Sequence, residues 1–569
     1  MVAAVIGFPG AADLQAAATT LLRAPARTDA QDLCRRLNYG AAVRVDADGS
    51  LLCTTDYLGI YPLYVHAGPD LTVCASALPL FGAVPRLALD VDNAAIAHSL
   101  LLAHYLFGET VYRQVFRADA RTVVEIRKGT VSRHRCALPD VRNVDERHVV
   151  DEFHEVLGEV SRELLPRTRA TLMSGGLDSR LMSGYLAQTD VPGGYRGVTI
   201  GDASDFDVRF GAKVIHHLGF EPHNVPIQPD RFFEWLRREA QWDGAQSGGY
   251  ALHLWAVAQH ASLDHGPVAT GLFGDAVIGA KNVSWAFDPR FADHSFETLY
   301  RADNVWGLPA RIVRRLMRDA DAVDGLGQCV ARLGEEFDSY GVAPWKNAWW
   351  FHALHRQRFL IGRFAKLLAY RSWPVMPFMD HRVREYFDSL PLRCVRDRAL
   401  QFGVVVRKFP ALARLPLDRG NMDTRSVVSG LQPSRLPWSL QQFIGALRKS
   451  LEHRVDGRLE RCFHDRMFDM NTAGWRAVRS AFADVIELAS AHIDASFARQ
   501  ILVERVWPPG GRGAIAAGSG RRAVMSAICW MAMKQAPEDF AHIVGHATES
   551  RDGNSNLPGD HRVDTAVGA

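Results

Sequence analysis

The period of apolar and polar positions changes along the chain. Between residues 40 and 135, short segments such as Ala41–Val45, Leu51–Thr55, Leu71–Ala75 and Thr122–Ile126 are separated by Asp-Gly, Gly-Pro and Lys-Gly-Thr steps. That punctuation predicts a β-rich region, interrupted by a helical pattern over Asn93–Tyr105. Asn143–Val149 reads as a linker into a helix from about Val150 to Leu165. Past Pro166 the rhythm becomes strand, loop, helix. Thr168–Met173 is a short apolar strand, a glycine-bearing loop follows, and a helix runs through Leu186. Gly197–Ile200 is a second strand, followed by a polar loop and the helix Phe206–Leu218, and Val268–Leu272 is a third strand. This alternation predicts a parallel sheet in an α/β domain. From about Glu335 onward the pattern is mainly helical. Trp349, Trp350, Phe351 and Phe359 fall at near-helical spacing there and are expected to pack a core. Ala523–Met533 reads as a buried helix and Arg551–Ala569 as a polar, disordered tail. No internal repeat is visible.

Composition narrows the classes. A length of 569 residues suggests two to four domains, and 66 Lys plus Arg against 63 Asp plus Glu gives no electrostatic case for nucleic acid or an anionic membrane. An anionic substrate would have to be held by local groups. None of the eight cysteines forms a CxxC pair, so neither a zinc site nor a disulfide framework is expected, and a reducing cytoplasm fits. No basic stretch precedes the apolar residues of Met1–Gly10, so a signal peptide is not expected. The run Ala523–Met533 is far shorter than the ~20 residues of a membrane span.

The candidate chemistry sits in Ser174-Gly175-Gly176-Leu177-Asp178-Ser179, between the first parallel strand and its helix. Glycines let main-chain N–H groups approach an anion without a Cβ in the way. A helix start adds free donors and a partial positive charge, and Ser174 and Ser179 add hydroxyls. Asp178 would repel phosphate unless a Mg²⁺ bridged the two. The plainer reading is a tight turn with serine as the helix cap. Other candidates have plain readings too. His352 and His355 at i,i+3 read as packed or surface residues rather than metal ligands. Asp202, Asp205 and Asp207 read as a solvated loop with helix caps.

The Ser174–Ser179 string resembles the pyrophosphate loop of ATP pyrophosphatases, and within them the asparagine synthetase B-like family. Further segments resemble that family in order. Asp56–Tyr64 (DYLGIYPLY) is similar to its D-x-x-G-x-x-P-L-Y element, and Ala75–Leu80 stands where it has Ser-Glu-Leu-Lys. Gly271–Gly279 (GLFGDAVIG) is similar to its G-E-G-A-D-E-L-F-G-G element, and Pro377–Asp380 (PFMD) to its P-F-L-D element. The resemblance spans roughly residues 40 to 420. It implies a glutaminase-like β-sandwich over 1–142, an α/β ATP-binding ligase domain with a helical C-terminal part over 143–546, and a tail over 547–569. It implies ATP and Mg²⁺ as cofactors, with Asp178 and Asp275 as the metal carboxylates. The nucleotide would rest against Leu172, Ser174, Gly175, Gly176, Asp178, Ser179, Ile200, Thr270 and Gly271. The family has an acidic residue in the loop after the second strand, which implies an acid near the bound nucleotide among Asp202, Asp205 and Asp207. The alternatives are a Gly-Asp turn for Asp275 and a helix-capping role for Asp380.

The chain also departs from the family pattern. It opens Met1-Val2-Ala3-Ala4 where glutamine-using members have a nucleophilic cysteine, so the N-terminal region is expected to be a scaffold without glutaminase activity. Leu272 stands where asparagine synthetases have a glutamate. The family's late lysine is matched only by position, at Arg419. Such losses resemble the members that use an amine already in the substrate, above all the lasso-peptide cyclases. The function implied is an ATP-dependent carbon–nitrogen ligase. It would join the N-terminal amine of a precursor peptide to a downstream Asp or Glu side chain, with a leader-peptide protease and a leader-binding protein as candidate partners. The alternatives are a small-molecule amide ligase, such as a β-lactam synthetase or an ammonia-dependent asparagine synthetase, and a degenerate peptide-binding scaffold.

Overall fold

A computed structural model describes residues 2–7, 27–138, 140–142, 144–189, 194–244, 252–260, 263, 266–275, 295–304, 306–341, 344–395, 398–417, 426–428, 470, 472–504 and 512–549. The fold is mixed α/β. Among the described residues no helix is long and apolar enough to cross a membrane.

The N-terminal region forms two antiparallel sheets. Strands β1 (Val2–Gly7), β2 (Gly40–Val45), β3 (Leu51–Thr55), β7 (Thr122–Arg127) and β8 (Thr130–Arg135) pair in that order, and β4 (Tyr64–Ala67) lies between β5 (Thr72–Ala75) and β6 (Val115–Arg117). Side chains alternate across a strand. Leu52 and Val123 therefore point to one face, where they bury Leu33 of helix α1 (Arg27–Arg36) and Leu37 just beyond it. Leu51, Cys53 and Val124 point to the other, into a core shared with Tyr64 and Val65. All five residues of β3 are buried. The expected helix over Asn93–Tyr105 is α2 (Asn93–Leu102), capped by Asp92 accepting from the Ala95 N–H.

The second sheet system is parallel throughout. β9 (Ala170–Leu172), β10 (Arg196–Ile200), β11 (Glu221–Val225), β12 (Val268–Ala269) and β13 (Pro374–Val375) lie in the order β11-β10-β9-β12-β13. Between them run α4 (Leu177–Leu186), α5 (Phe206–Leu218), α6 (Phe232–Asp243) and α7 (His253–Gln259), all after α3 (Val149–Leu164). Helices on a parallel sheet bury its strands on both sides, and α4 contributes Leu177, Leu181, Met182 and Tyr185 to that core. Three strands are shorter than their apolar runs: Thr168–Met173 yields three paired residues, and Val268–Leu272 and the stretch before Pro377 yield two each. The strand order reverses between β9 and β12. At such a switch point the loops leaving the carboxyl ends diverge to opposite sides and open a crevice.

The C-terminal part is helical, as its pattern predicts. Trp349, Trp350 and Phe351 on α9 (Pro344–His352) are buried, as is Phe359 on α10 (Arg358–Leu368), and α8 (Leu326–Asp338) packs alongside. Ala523–Met533 lies within a helix over Arg512–Gln535, buried throughout except at its last residue. The seven described cysteines are all unbridged. One continuous apolar cluster joins the N-terminal sheets to the parallel-sheet region. The tail from Arg551 and Cys462 lie outside the described residues.

Candidate active site

The strand ends at the switch point carry the groups that the sequence singled out. Leu172 closes β9, half-buried and in register with Val198. Ile200 closes β10, also half-buried, and Thr270 follows β12 with its N–H bonded to Val375 O at 3.0 Å. Three adjacent strands thus present Ile200, Leu172 and Thr270 along one carboxyl edge.

Beyond Leu172 the chain turns through Ser174–Gly176 into α4. The helix cap is Gly176 with φ −80°, not a serine, so α4 begins without a side-chain cap. The turn is cross-tied. Ser174 N–H donates to Ser179 Oγ at 3.2 Å, Gly175 N–H to Asp207 Oδ1 at 3.0 Å, and Gly176 N–H to Ser174 Oγ at 3.1 Å. The two serine hydroxyls lie 3.0 Å apart. The glycine amides expected to face an anion therefore already have acceptors, because a buried N–H left unpaired is costly. The uncapped first turn of α4 is the electropositive end that remains.

Asp207 is a correction to the solvated-loop reading. It is buried on the first turn of α5, and Asp205 is buried as well, its Oδ2 accepting the Asp202 N–H at 2.7 Å. Burial of a carboxylate requires donors, and the turn at Gly175 supplies one.

The loop after β12 forms the second wall. Gly274 N–H closes a turn onto Gly271 O at 3.2 Å, and Thr270 Oγ1 accepts the Leu272 N–H at 3.3 Å. A Cβ on Gly271 would fall 2.7 Å from Ser179 N and 2.8 Å from Asp178 C. One on Gly274 would fall 2.7 Å from both Asp178 Cγ and the Phe378 ring. Only hydrogen fits at either Cα: Gly271 meets the start of α4 backbone to backbone, and Gly274 meets the side chains of Asp178 and Phe378. Asp275, half-buried, is the next residue after that contact. Between the glycines, Phe273 is buried at φ 67°, a costly conformation for a bulky residue.

Arg398 completes the cluster, and nothing in the sequence pointed to it. Its guanidinium pairs with Asp178 Oδ1, which also accepts from the Gln401 amide. It stands at φ 63°, immediately before the helix Ala399–Lys408. Two of the six described non-glycine residues with positive φ, Phe273 and Arg398, thus belong to this one site. Such strain persists where the surroundings hold it in place. Arg180, fully buried on α4, donates to Leu412 O at 3.1 Å and Leu415 O at 2.8 Å, and so ties the chain before residue 417 to the loop's helix.

Arg419 and Ala276–Gly279 lie outside the described residues. Asp380 caps the helix His381–Asp388, accepting the Arg382 N–H at 3.0 Å, which is the capping role. His352 and His355 are buried. His352 Nε2 lies 2.9 Å from the Gln357 amide, and His355 lies 3.3 Å from His104 and 3.4 Å from Glu336, as packed residues do. Among the described residues no group of three or more His, Cys, Asp or Glu side chains is arranged to hold a metal ion. A Mg²⁺ that takes one or two carboxylates and draws its other ligands from phosphate and water needs no such group. Comparison of the chain with family models and with curated proteins returned no match.

Proposed function

We propose that this chain is an ATP-dependent, AMP-forming carbon–nitrogen ligase of the asparagine synthetase-like kind, with residues 174–179 as its pyrophosphate loop. The observation that carries the reading is the meeting of Ser174–Ser179 with Gly271–Asp275 at the switch point of a parallel sheet. In open α/β sheets that crevice is where nucleotides lodge. The uncapped start of α4 favours a phosphate, and Arg398 supplies the fixed positive charge sought at Arg419.

In the proposed reaction ATP is a substrate. A carboxylate oxygen bonds to the α-phosphorus as the bond to the bridging oxygen breaks and pyrophosphate departs. An amine nitrogen then attacks the activated carbonyl, AMP leaves, and the nitrogen gives up a proton. Mg²⁺ held between Asp178 and Asp275 would supply Lewis-acid stabilisation of phosphate charge. The chain's own residues orient. The turn at Ser174 and the Gly271 backbone fix where a triphosphate can lie, and Arg398 offsets charge on the departing diphosphate. The N-terminal sheets act as scaffold. We assign the substrate as a precursor peptide whose side-chain carboxylate is joined to its own N-terminal amine, the lasso-cyclase reaction, from the resemblance and from Leu272, whose side chain cannot serve as an acid.

A second reading, a catalytically silent scaffold, is favoured by one observation: the N–H groups of Ser174, Gly175 and Gly176 all have acceptors within the protein. Pyrophosphate release from ATP with leader-free candidate peptides separates the two. The ligase reading expects ATP-dependent release, loss of one water from the peptide mass, and no turnover by Asp178→Ala. Nucleotide binding without release, identical in wild type and Asp178→Ala, establishes the scaffold.

A further inference from the structure

Beside the amino ends of the parallel strands lies a cleft that the ligase reading does not use. It has a volume of about 550 Å³ and is walled by Arg237, Arg238 and Trp242 of α6, Trp255 of α7, and Tyr370 and Arg371. Its position follows from the topology. Trp255 precedes β12 (Val268–Ala269) and Arg371 precedes β13 (Pro374–Val375), so the cleft opens beside the amino ends of these strands. The Ser174–Ser179 loop leaves the carboxyl ends.

Two features of the wall point to a ligand. The first is apolar. Trp242 and Tyr370, 37% and 38% exposed, are the only aromatic rings among the exposed large hydrophobic side chains of the described residues, and they touch edge to face at 5.3 Å. Contiguous exposed apolar surface marks docking sites more often than singly scattered side chains do. The second is charge. Three guanidinium groups line the cleft, and no carboxylate is among its described lining residues. Glu234, one turn before Arg238, pairs with both Arg238 and Arg231, and Arg371 donates to the Gln259 carbonyl at 3.3 Å. Arg237 carries a buried Nε with no acceptor, while its Nη1 lies 3.5 Å from Gln241 Oε1. Arginine beside Trp and Tyr is the composition that dominates binding hot spots.

The ring geometry selects among anionic ligands. Trp255 and Tyr370 are stacked on each other at 5.2 Å and 18°, and the Arg238 guanidinium lies 5.9 Å from the Trp255 ring centre. Each ring thereby covers one face of the other, Trp255 is buried and Tyr370 also meets Trp242 edge to face, so the rings offer little open face to a nucleobase. Ring edges suit an aliphatic or aromatic side chain. Gln241 and Gln259, also in the wall, carry amide groups that match a peptide main chain.

We propose that this cleft docks an acidic peptide segment with a bulky apolar side chain between its carboxylates. That the segment belongs to the ligase's own substrate rests on the function proposed above; the docking itself does not. A docking site away from the adenylation edge would hold the peptide by one part while another reaches the chemistry, and would raise effective concentration there.

The test uses the full chain and a fluorescein-labelled peptide Gly-Glu-Phe-Asp-Glu-Leu-Asp-Gly, with its Gln/Asn counterpart as control, read by fluorescence anisotropy. The acidic peptide is expected to bind at least about tenfold tighter than the neutral one in low salt, and to weaken as salt rises. The double variant Arg237→Gln/Arg371→Gln should bind at least about tenfold weaker, and Trp242→Ser about fivefold weaker, with melting temperatures near wild type. Equal binding of the two peptides, unchanged binding by the well-folded double variant, or displacement of the peptide by inorganic pyrophosphate or ATP would each overturn the proposal. Failure of the ligase reading looks different: the peptide binds as expected, yet no substrate releases pyrophosphate.

Discussion

Where the N-terminal sheets meet the helical layer, arginine side chains end on main-chain carbonyls, whereas at the carboxyl edge of the parallel sheet Arg398 ends on a carboxylate. Arg358 Nε donates to Gly59 O at 2.9 Å and its other arm to Ala118 O at 2.7 Å, Arg117 reaches Gly59 O and Ile60 O, and Arg384 reaches Met379 O and Arg35 O. All three are buried, and burial, with the nearby Arg117, lowers the Arg358 pKa to about 9. Asp56 in the same region is fully buried and receives the Ile60 and Tyr61 N–H groups at 3.0 and 2.7 Å. These groups are held by backbone partners, and backbone partners cannot be exchanged for a ligand. The Arg398–Asp178 pair is half-open, and either member can trade its partner for a phosphate or a cation. The two motifs therefore differ: Asp56–Tyr64 fastens a buried turn, and Ser174–Ser179 lies beside a pair that is half-open.

The widest separation is expected between the two aspartates. Asp178→Ala should reduce pyrophosphate release by about a thousandfold or more, roughly 4 kcal/mol, with little change in melting temperature. Asp56→Ala should do the reverse, with a loss of about 3 kcal/mol of stability because it strands two buried N–H groups. Urea unfolding and turnover measured on both variants break the comparison if Asp178→Ala unfolds or Asp56→Ala is merely slow. Arg398→Gln should cost about a hundredfold in turnover, and Arg398→Lys should recover part of it as a point charge without the planar fork.

A pair of glycines gives a smaller contrast. Gly59 stands at φ +66°, where a Cβ would lie 2.7 Å from the Arg358 guanidinium. Gly59→Ala is expected to lower stability by about 2–3 kcal/mol through strain and overpacking. Gly274→Ala meets Asp178 Cγ at 2.7 Å instead, and should raise KM for ATP or lower turnover by more than its effect on melting implies.

How much of this was legible in the sequence follows from what each element depends on. Helix Phe206–Leu218 and strand Leu51–Thr55 lie where their local patterns put them, since periodicity and flanking turns are short-range signals. The parallel strands are short because their pairing is set by neighbours: Val268–Ala269 keeps only the residues flanked by both β9 and β13. In the site, Ser174–Ser179 is contiguous and could be read directly. Arg398 is 220 residues from Asp178, in a stretch without pattern, and its meeting with Asp178 comes from tertiary packing alone. The partner of Asp207 was unreadable for the same reason, because a caps-or-solvent choice depends on what lies above the helix start.

The contrast also extends to pH. Glu336, at the interface with the N-terminal sheets, sits beside His355 at 3.4 Å and accepts from the Tyr340 hydroxyl at 3.2 Å. Burial raises its pKa, but His355, Arg135 and Tyr340 together outweigh burial and hold it at about 2. A carboxyl depressed in the folded state stabilises the fold above its unfolded pKa, near 4.5, and that contribution fades as pH falls toward 2. Glu336→Gln should therefore be less stable than wild type by about 1–3 kcal/mol at pH 7. The gap should narrow steadily below pH 4.5. Because this group is far from the Ser174 turn in the chain and bonded only within the interface, the pH profile of pyrophosphate release between pH 6 and 9 should be the same in both proteins. A shifted profile would show that the interface region takes part in the chemistry, and the division between the two regions would fail.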